Sequence, residues 1–314
     1  MHRQDDDRRR RDEGADRARA PRTYQGRVLP RQDEDVDDQG LAFDLATAHR
    51  RGLERRRVLG ALGLGASALA LAACGGEDAD ASSTTSSSPS ALSEVPDETA
   101  GPYPGDGSNG ANVLTASGVV RSDIRSSFGT STTTAAGIPT TLTLNVVDMA
   151  GGDVPFEGAA VYVWHCDRDG NYSLYADGLE EENYLRGVQV ADATGSVTFT
   201  TVFPACYSGR WPHVHFEVYP DADSITDATH AVATSQLALP QEVCESVYAT
   251  SGYEQSVSNL ADVTLASDNV FGDDSAASQT PTVTGDVASG FTLTLTVGVD
   301  TSTTPAAGSA PPGG

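Results

Sequence analysis

Residues 211–219 read Trp-Pro-His-Val-His-Phe-Glu-Val-Tyr, and from His213 onward polar and apolar side chains alternate. This alternation has the two-residue period of a β-strand, in which successive side chains point to opposite faces of a sheet. The polar residues from His213 to Tyr219 would share one face, while the three apolar residues between them would pack into the core. The sequence therefore predicts a strand that carries two imidazole rings side by side.

Several other segments have strand character and are separated by clusters of Gly, Asp and Pro. Thr141–Val147 and Phe291–Val297 alternate cleanly between polar and apolar residues, as half-buried antiparallel strands do. Pro240–Ala249 is the best candidate for a short helix, with Gly252 just beyond its end. The sequence thus predicts an all-β domain, an antiparallel β-sandwich with long loops and a short helix. The predicted strands are Thr141–Val147, Ala159–Cys166, Ser196–Thr201, Val214–Tyr219 and Phe291–Val297.

The first 73 residues have the features of an export signal. A polar, charged stretch leads to three arginines at 55–57 and then to a run of small residues and Leu at 61–73. That run has the length of a signal-peptide core and is too short to cross a membrane as a helix. The arginines resemble a twin-arginine signal, the bacterial route for folded proteins, and Cys74 lies where a lipoprotein signal has its lipidated cysteine. An ordinary signal peptide with an incidental cysteine is the alternative.

The composition divides the rest of the chain into three parts. Residues 74–95 are rich in Ser, Thr and Asp and are expected to form a flexible tether. Residues 96–299 hold the predicted β-sandwich, and residues 300–314 form a Thr/Pro/Ala/Gly tail that is expected to be disordered. With the signal region 1–73, this organisation predicts an exported protein, lipid-anchored through Cys74 at the outer face of the cell membrane.

The charge and the cysteines of the domain exclude some functions. The formal net charge is −24 at pH 7, and 15 of the 20 Arg and Lys residues precede Cys74. The domain is therefore strongly acidic and lacks a basic surface for phosphate backbones, so nucleic acid is not expected as a partner.

Cys166, Cys206 and Cys244 form no CxxC pair, which argues against a zinc or iron–sulfur site. An oxidising compartment would allow one disulfide among them, and the sequence leaves the pairing open.

The pair His213 and His215 is a candidate metal site, since two imidazoles on one strand face can bind the same ion. Pairs of this kind also occur as surface residues or as hydrogen-bonded core residues. The residues around the pair therefore help to decide whether it binds a metal. Arg210 lies three residues upstream, and Tyr172 and Tyr207 lie in turn-rich segments that follow predicted strands. These side chains are expected near the two histidines.

Four sequence blocks occur in order between about residues 96 and 240. They are Glu98–Tyr103, Val161–Asp167 followed by Gly170–Tyr172, Thr200–Pro204 with Tyr207, and Arg210–Phe216. Together they resemble the intradiol ring-cleavage dioxygenases, the relatives of catechol and protocatechuate 3,4-dioxygenases. The combination of two tyrosines with the Arg-x-x-His-x-His-Phe motif is the specific part of this resemblance.

The resemblance implies that one ferric ion, Fe(3+), is bound by Tyr172, Tyr207, His213 and His215. Tyrosine binds as a phenolate only where a strong Lewis acid displaces its proton, and anionic oxygen donors favour Fe(III) over Zn(II) or Cu(I). The implied activity is the cleavage of a catechol-type aromatic diol between its hydroxylated carbons, with incorporation of both atoms of O2. The expected product is of the cis,cis-muconate type, and the expected partners are the diol and O2.

The same resemblance implies roles for residues around the ion. Arg210 matches the arginine that faces the substrate, Tyr207 would also act as a base, and Gln236 matches an active-site glutamine. Tyr103 is implied to line the mouth of the substrate pocket. Five residues separate Tyr207 from His213, fewer than in the cytoplasmic members, so the pocket wall that this connection builds is expected to differ.

Two other functions fit parts of the pattern. One is a non-catalytic extracytoplasmic β-sandwich on a lipid tether, which would keep the fold and serve as a binding module. Such a module has no need of two tyrosines and two histidines together with Arg210. A zinc hydrolase could use His213, His215 and Glu217, which would share a face, but the sequence has no HExxH motif. His165 lies on a predicted buried strand and is interpreted as a hydrogen-bonded core residue.

Overall fold

The computed structural model describes residues 92–303 and residue 305, together with the backbone of a short antiparallel pair, β1 (Thr23–Tyr24) and β2 (Arg27–Val28). Apart from these four residues, the predicted signal region 1–73 lies outside the described residues, as do Cys74, the tether up to residue 91 and the tail beyond residue 305. None of the described helices is long and apolar enough to cross a membrane.

Within residues 92–303, nine strands, two α-helices and two short 3-10 helices are present. The strands are β3 (Pro139–Asp148), β4 (Val154–Pro155), β5 (Ala160–Trp164), β6 (Arg186–Val190), β7 (Ser196–Val202), β8 (His213–Tyr219), β9 (Ala233–Ala238), β10 (Thr282–Asp286) and β11 (Gly290–Val299). The helices are α1 (Gln241–Tyr248) and α2 (Glu254–Ala261), and the 3-10 turns are Ala228–His230 and Phe271–Asp273.

The first sheet is built around β3. On one side β3 pairs with β11, which in turn pairs with β10, and on the other side it pairs with β4 and β7. The pairing of β3 with β11 is parallel, with Leu142 opposite Leu293, whereas the other pairs of this sheet are antiparallel. The second sheet has the order β6-β5-β8-β9 and is antiparallel throughout.

The apolar core lies between the two sheets. Leu142 and Phe199 from the first sheet join Val163 and Phe216 from the second in one buried cluster. The predicted alternation of β8 is therefore confirmed, because its apolar residues face the sandwich core. Its polar residues face the other way, yet all seven residues of β8 are buried. A second buried cluster, which includes Val113 and Leu114 of the N-terminal loops, covers that outer face.

The all-β sandwich, the strands and the short helix after residue 240 agree with the sequence predictions. One correction concerns strand direction, because β11 runs parallel to β3. Alternation reveals which side chains are buried but not the direction of the partner strand. The second helix and the strands β4, β6, β9 and β10 were not predicted. Residues just outside the predicted bounds 96–299 also contact the first sheet, since Glu94 forms a bridge with Gly298 and Thr301 donates to Asp148.

Candidate metal centre

The two histidines of β8 converge on one point. The Nε2 atoms of His213 and His215 are 3.1 Å apart, and their rings are nearly perpendicular at 81°. Nδ1 of His213 lies 2.5 Å from the carbonyl oxygen of Trp211, which can only accept, so Nδ1 carries the proton and Nε2 keeps its lone pair. The ring of His215 stacks on Trp164 with its centroid 4.8 Å away. Backbone and aromatic neighbours thus fix both rings.

Two tyrosines approach the histidines from separate turns. Tyr207 follows β7, and its hydroxyl lies 3.2 Å from Nε2 of His213. Tyr172 follows β5, and its ring centroid lies 6.0 Å from that of Tyr207 and 6.3 Å from that of His215. The hydroxyl of Tyr172 is buried and has no hydrogen-bond partner among the described residues. The four side chains therefore form one compact cluster.

Local turns explain how the two tyrosines reach the histidines. The carboxylate of Asp167 accepts hydrogen bonds from the backbone N–H groups of Asp169 and Asn171, both at 2.9 Å, and from the hydroxyl of Tyr184 at 3.0 Å. These bonds close the turn that ends at Tyr172. On the other side the chain reverses at Gly209, whose φ of +82° suits glycine. This short turn brings Tyr207 back beside His213 of β8.

Burial keeps the four groups neutral in the absence of a cation. It raises the pKa of Tyr207 to about 12 and, together with the neighbouring Tyr207, raises that of Tyr172 well above the ordinary value. Burial, and then the positive charge of Arg210, lower the pKa of His213, and burial, His213 and Arg210 lower that of His215. Neutral imidazoles are ready to bind a metal ion, whereas the phenols would lose their protons only to a strong Lewis acid.

The cluster fits a cation through its tyrosines. No three His, Cys, Asp or Glu side chains converge anywhere in the described part of the chain. A metal at this place would therefore need the phenolic oxygens as well as the two Nε2 atoms. Two Nε2 atoms and a phenolic oxygen within about hydrogen-bond distance, beside a buried hydroxyl without a partner, are the donor arrangement that an ion would satisfy.

Arg210 and Gln236 meet beside this cluster. Nη2 of Arg210 donates to Oε1 of Gln236 at 2.7 Å, and Nε2 of Gln236 donates to the carbonyl oxygen of Thr99 at 2.8 Å. Gln236 lies on β9 directly opposite His215 of β8. The structure thus brings together the predicted arginine and glutamine, which the sequence places 26 residues apart.

No sequence motif indicated two further residues that lie near the cluster, Asp268 and Arg186. Asp268 accepts a hydrogen bond from Nε of Arg210 at 3.0 Å and is only 3% exposed. Arg186, 1% exposed, donates to the carbonyl oxygens of Tyr103 and Pro104 at 2.9 and 2.8 Å and to the hydroxyl of Ser173 at 3.0 Å. Arg186 thereby fastens the loop that carries Tyr103 to the segment that carries Tyr172. Only the fold reveals these roles, because the bonded residues are far apart in sequence.

Tyr103 lies at the edge of the cluster. It is 40% exposed, and its ring centroid lies 5.1 Å from that of Tyr172 and 5.2 Å from that of Tyr175. A cavity of about 120 Å³ opens here and is lined by these three tyrosines with Gly170, Asn171 and Ala176. Tyr103 thus lines a cavity, and its role at the mouth of a substrate pocket stays a prediction.

The remaining candidates lie apart from the cluster. His165 is bonded through Nδ1 to the carbonyl oxygen of Cys166 and through Nε2 to the hydroxyl of Thr201, both at 2.7 Å, as a core histidine would be. Glu217 accepts a hydrogen bond from Tyr219 at 2.7 Å. Burial raises the pKa of the Cys206 thiol to about 12. The three cysteines that the structure describes are buried and free, so it contains none of the possible disulfides among them.

Comparison with known proteins identifies relatives of the region that holds the cluster. A family model described as Dioxygenase matches residues 122–227, which include the two tyrosines and the two histidines but neither Gln236 nor Asp268. A chlorocatechol 1,2-dioxygenase of Rhodococcus opacus is 38% identical over 63 residues, which are 20% of this chain and 24% of the relative. The chain spans about a quarter to a third of the length of the curated relatives that it matches.

Solved structures show the same fold. An intradiol ring-cleavage dioxygenase from Tetranychus urticae is similar with a TM-score of 0.52 and 24% identity, over 67% of this chain and 96% of the other. A second solved dioxygenase has a TM-score of 0.53 and 25% identity, over 67% of this chain and 95% of its own.

Proposed function

We propose that the domain that contains residues 122–227 is an intradiol ring-cleavage dioxygenase, which cleaves a catechol-type aromatic diol with O2. Both oxygen atoms would enter a product of the cis,cis-muconate type. The match of these residues to the Dioxygenase family model and the similarity to a chlorocatechol 1,2-dioxygenase support this proposal. The observation that carries the proposal is the compact cluster of Tyr172, Tyr207, His213 and His215 beside Arg210.

The proposed cofactor is one ferric ion held by these two tyrosines and two histidines. The donor set supports this choice, since hard anionic oxygens prefer Fe(III) to softer or more weakly charged ions. When bound, ferric iron would supply the Lewis acidity that favours the deprotonated catechol and makes its ring reactive toward O2. The buried, partnerless hydroxyl of Tyr172 supports a role as a ligand rather than as a packing residue.

The residues of the chain have separate tasks in this reaction. Tyr207, whose hydroxyl adjoins Nε2 of His213, would lose its proton when the ferric ion is bound, and its phenolate Oη would then accept a proton from a substrate hydroxyl. The guanidinium of Arg210 would stabilise the negative charge that develops on the ring during cleavage, as a preorganised positive group. Gln236 holds Arg210 through its Oε1 and is itself held by the carbonyl oxygen of Thr99. The protein therefore positions charge before the substrate arrives.

The proposed substrate is a small aromatic diol that enters past Tyr103. The cavity of about 120 Å³ beside Tyr172 would be the entrance on the side of Tyr103. Three tyrosine rings line it, which favours an aromatic ligand.

A direct test is to expose the iron-loaded protein and catechol to ¹⁸O2 and to analyse the product by mass spectrometry. The proposal expects both labelled atoms in a ring-opened dicarboxylate. Arg210→Gln should lower the rate strongly, whereas Arg125→Gln, which removes an exposed arginine paired with Asp123, should not. Iron-loaded protein that binds catechol but leaves the ring intact would favour a non-catalytic binding module instead.

We also propose that the protein is exported and anchored in the outer face of the cell membrane through a lipid on Cys74. The support is the sequence alone, namely the arginines at 55–57, the apolar run at 61–73 and the cysteine that follows. Cys74→Ser should abolish labelling by radioactive palmitate and release the protein from the membrane fraction. Labelling that survives the substitution would contradict the anchor.

A further inference from the structure

The carboxylate of Asp268 is the meeting point of two segments. Its Oδ2 accepts hydrogen bonds from Nε of Arg210 at 3.0 Å and from the backbone N–H of Trp211 at 2.6 Å. Its Oδ1 accepts from the backbone N–H groups of Val270 and Phe271 at 2.8 and 3.1 Å. Asp268 is 3% exposed, so these bonds are shielded from water. Each oxygen therefore ties one segment to the same side chain.

The effect of Asp268 reaches the first histidine through the peptide of Trp211. The N–H of this residue donates to Asp268, while its carbonyl oxygen lies 2.5 Å from Nδ1 of His213. The ring of Phe271, next to the bonded N–H groups, lies 6.4 Å from the ring of His213. One carboxylate thus helps to fix the direction of both the arginine and an imidazole of the cluster.

Asp268 also leaves one edge of Arg210 available. Nε of the guanidinium donates to Asp268 and Nη2 donates to Gln236, with a longer contact of 3.5 Å from Nη2 to Asp268. These hydrogen bonds use Nε and Nη2 of Arg210, and none of them uses Nη1. The fork geometry of a guanidinium then fixes where Nη1 points, because the group is planar. Nη1 is the donor left for a substrate.

We propose that Asp268 is a positioning residue, which sets the guanidinium of Arg210 and the Trp211–His213 segment for catalysis. Asp268 lies outside the residues 122–227 that match the family model, so a segment beyond the family match completes the site. Gln279, in the same segment, supports this arrangement by donating to the backbone carbonyl oxygen of Gln236 at 2.9 Å. The inference rests on the proposed dioxygenase activity.

Asp268→Asn is the variant that tests this role. An amide has one oxygen, so two of the four close N–H donors lose their acceptor in either orientation of the side chain. A displacement of Arg210 of about 1 Å should lower kcat about 100-fold and change KM for catechol much less. Because His213 is held through Trp211, the affinity for ferric iron, followed by visible absorption, should fall about tenfold.

Asp286→Asn is the matched control, since Asp286 accepts backbone N–H groups in an exposed turn between β10 and β11. It should leave kcat and iron affinity unchanged. A double variant shows whether Asp268 acts through Arg210. Asp268→Asn should cost much less activity in the Arg210→Gln background than in the wild type.

The outcomes separate the two claims. Wild-type protein that neither takes up ferric iron nor cleaves catechol would refute the proposed function. If the wild type is active and Asp268→Asn has the same kcat and iron affinity as the control, only the positioning role is refuted. The same holds if the losses of activity from the two single substitutions are fully additive in the double variant. If near-ultraviolet circular dichroism shows that the amide variant does not fold, Asp268→Glu, which keeps both oxygens, should fold with a lowered kcat. Unchanged kcat there would also refute the role.

Discussion

Substituting Gly101 by alanine perturbs the cluster from the side of the covering loop. Gly101 has a φ of +74°, and a Cβ atom at this position would lie 3.3 Å from Cε1 of His215. The left-handed conformation costs a non-glycine residue about 1–2 kcal/mol. The ring of His215 would also have to shift by a few tenths of an ångström, although it is stacked on Trp164 at 4.8 Å. We expect the free energy of unfolding to fall by about 1–2 kcal/mol and the ferric affinity to fall roughly tenfold.

The matched control is Gly129→Ala. Gly129 has a φ of +80°, and a Cβ atom there would meet open space. Urea denaturation of the metal-free proteins should therefore give similar losses of stability, since both variants carry the same backbone cost. Titration with ferric iron, followed by visible absorption, should separate them, because only Gly101→Ala displaces a ligand ring. Equal ferric affinity in the two variants would refute the assignment of His215 as a ligand held by this contact.

Two further predictions concern buried charged groups. Arg186→Lys should lower the free energy of unfolding by about 3 kcal/mol, because an ammonium cannot replace the guanidinium fork that joins the Tyr103 and Ser173 segments; unchanged urea midpoints would contradict this. Burial and the carboxylates of Asp273 and Asp274 raise the pKa of Glu98 to about 8 from its ordinary 4.5. The contribution of Glu98 to the free energy of unfolding is therefore fully present below pH 4.5 and is lost as the pH rises to about 8. Glu98→Gln should therefore flatten the loss of stability over this range, and equal pH profiles for the two proteins would show that Glu98 is not protonated in the fold.

The sequence allowed the prediction of those features that depend on local patterns. The alternation in residues 213–219 correctly separated the core face of β8 from the face that carries the two histidines. The segments with Tyr172 and Tyr207 were expected near the two histidines, and Tyr207 does lie beside His213, after a turn at Gly209. These features follow from strand period and turn chemistry, which act over a few residues.

Features that depend on long-range pairing could not be predicted. The contact of Gln236 with Arg210 requires β9 to pair with β8, and β9 has no clean alternation because five of its six residues are buried. Asp268 lies 58 residues from Arg210 in sequence, within a stretch that resembles an ordinary polar loop. The parallel pairing of β11 with β3 likewise depends on how the last strand enters the sheet.

The most direct test of the central claim is a ferric titration of the metal-free protein followed by visible absorption, with catechol then added without oxygen. We predict a burgundy tyrosinate-to-iron band that saturates at one ion per chain and moves to longer wavelength with catechol. Tyr172→Phe and Tyr207→Phe should each weaken or shift this band. A protein that stays colourless with excess ferric iron would contradict the assignment of the two tyrosines and two histidines as an iron centre.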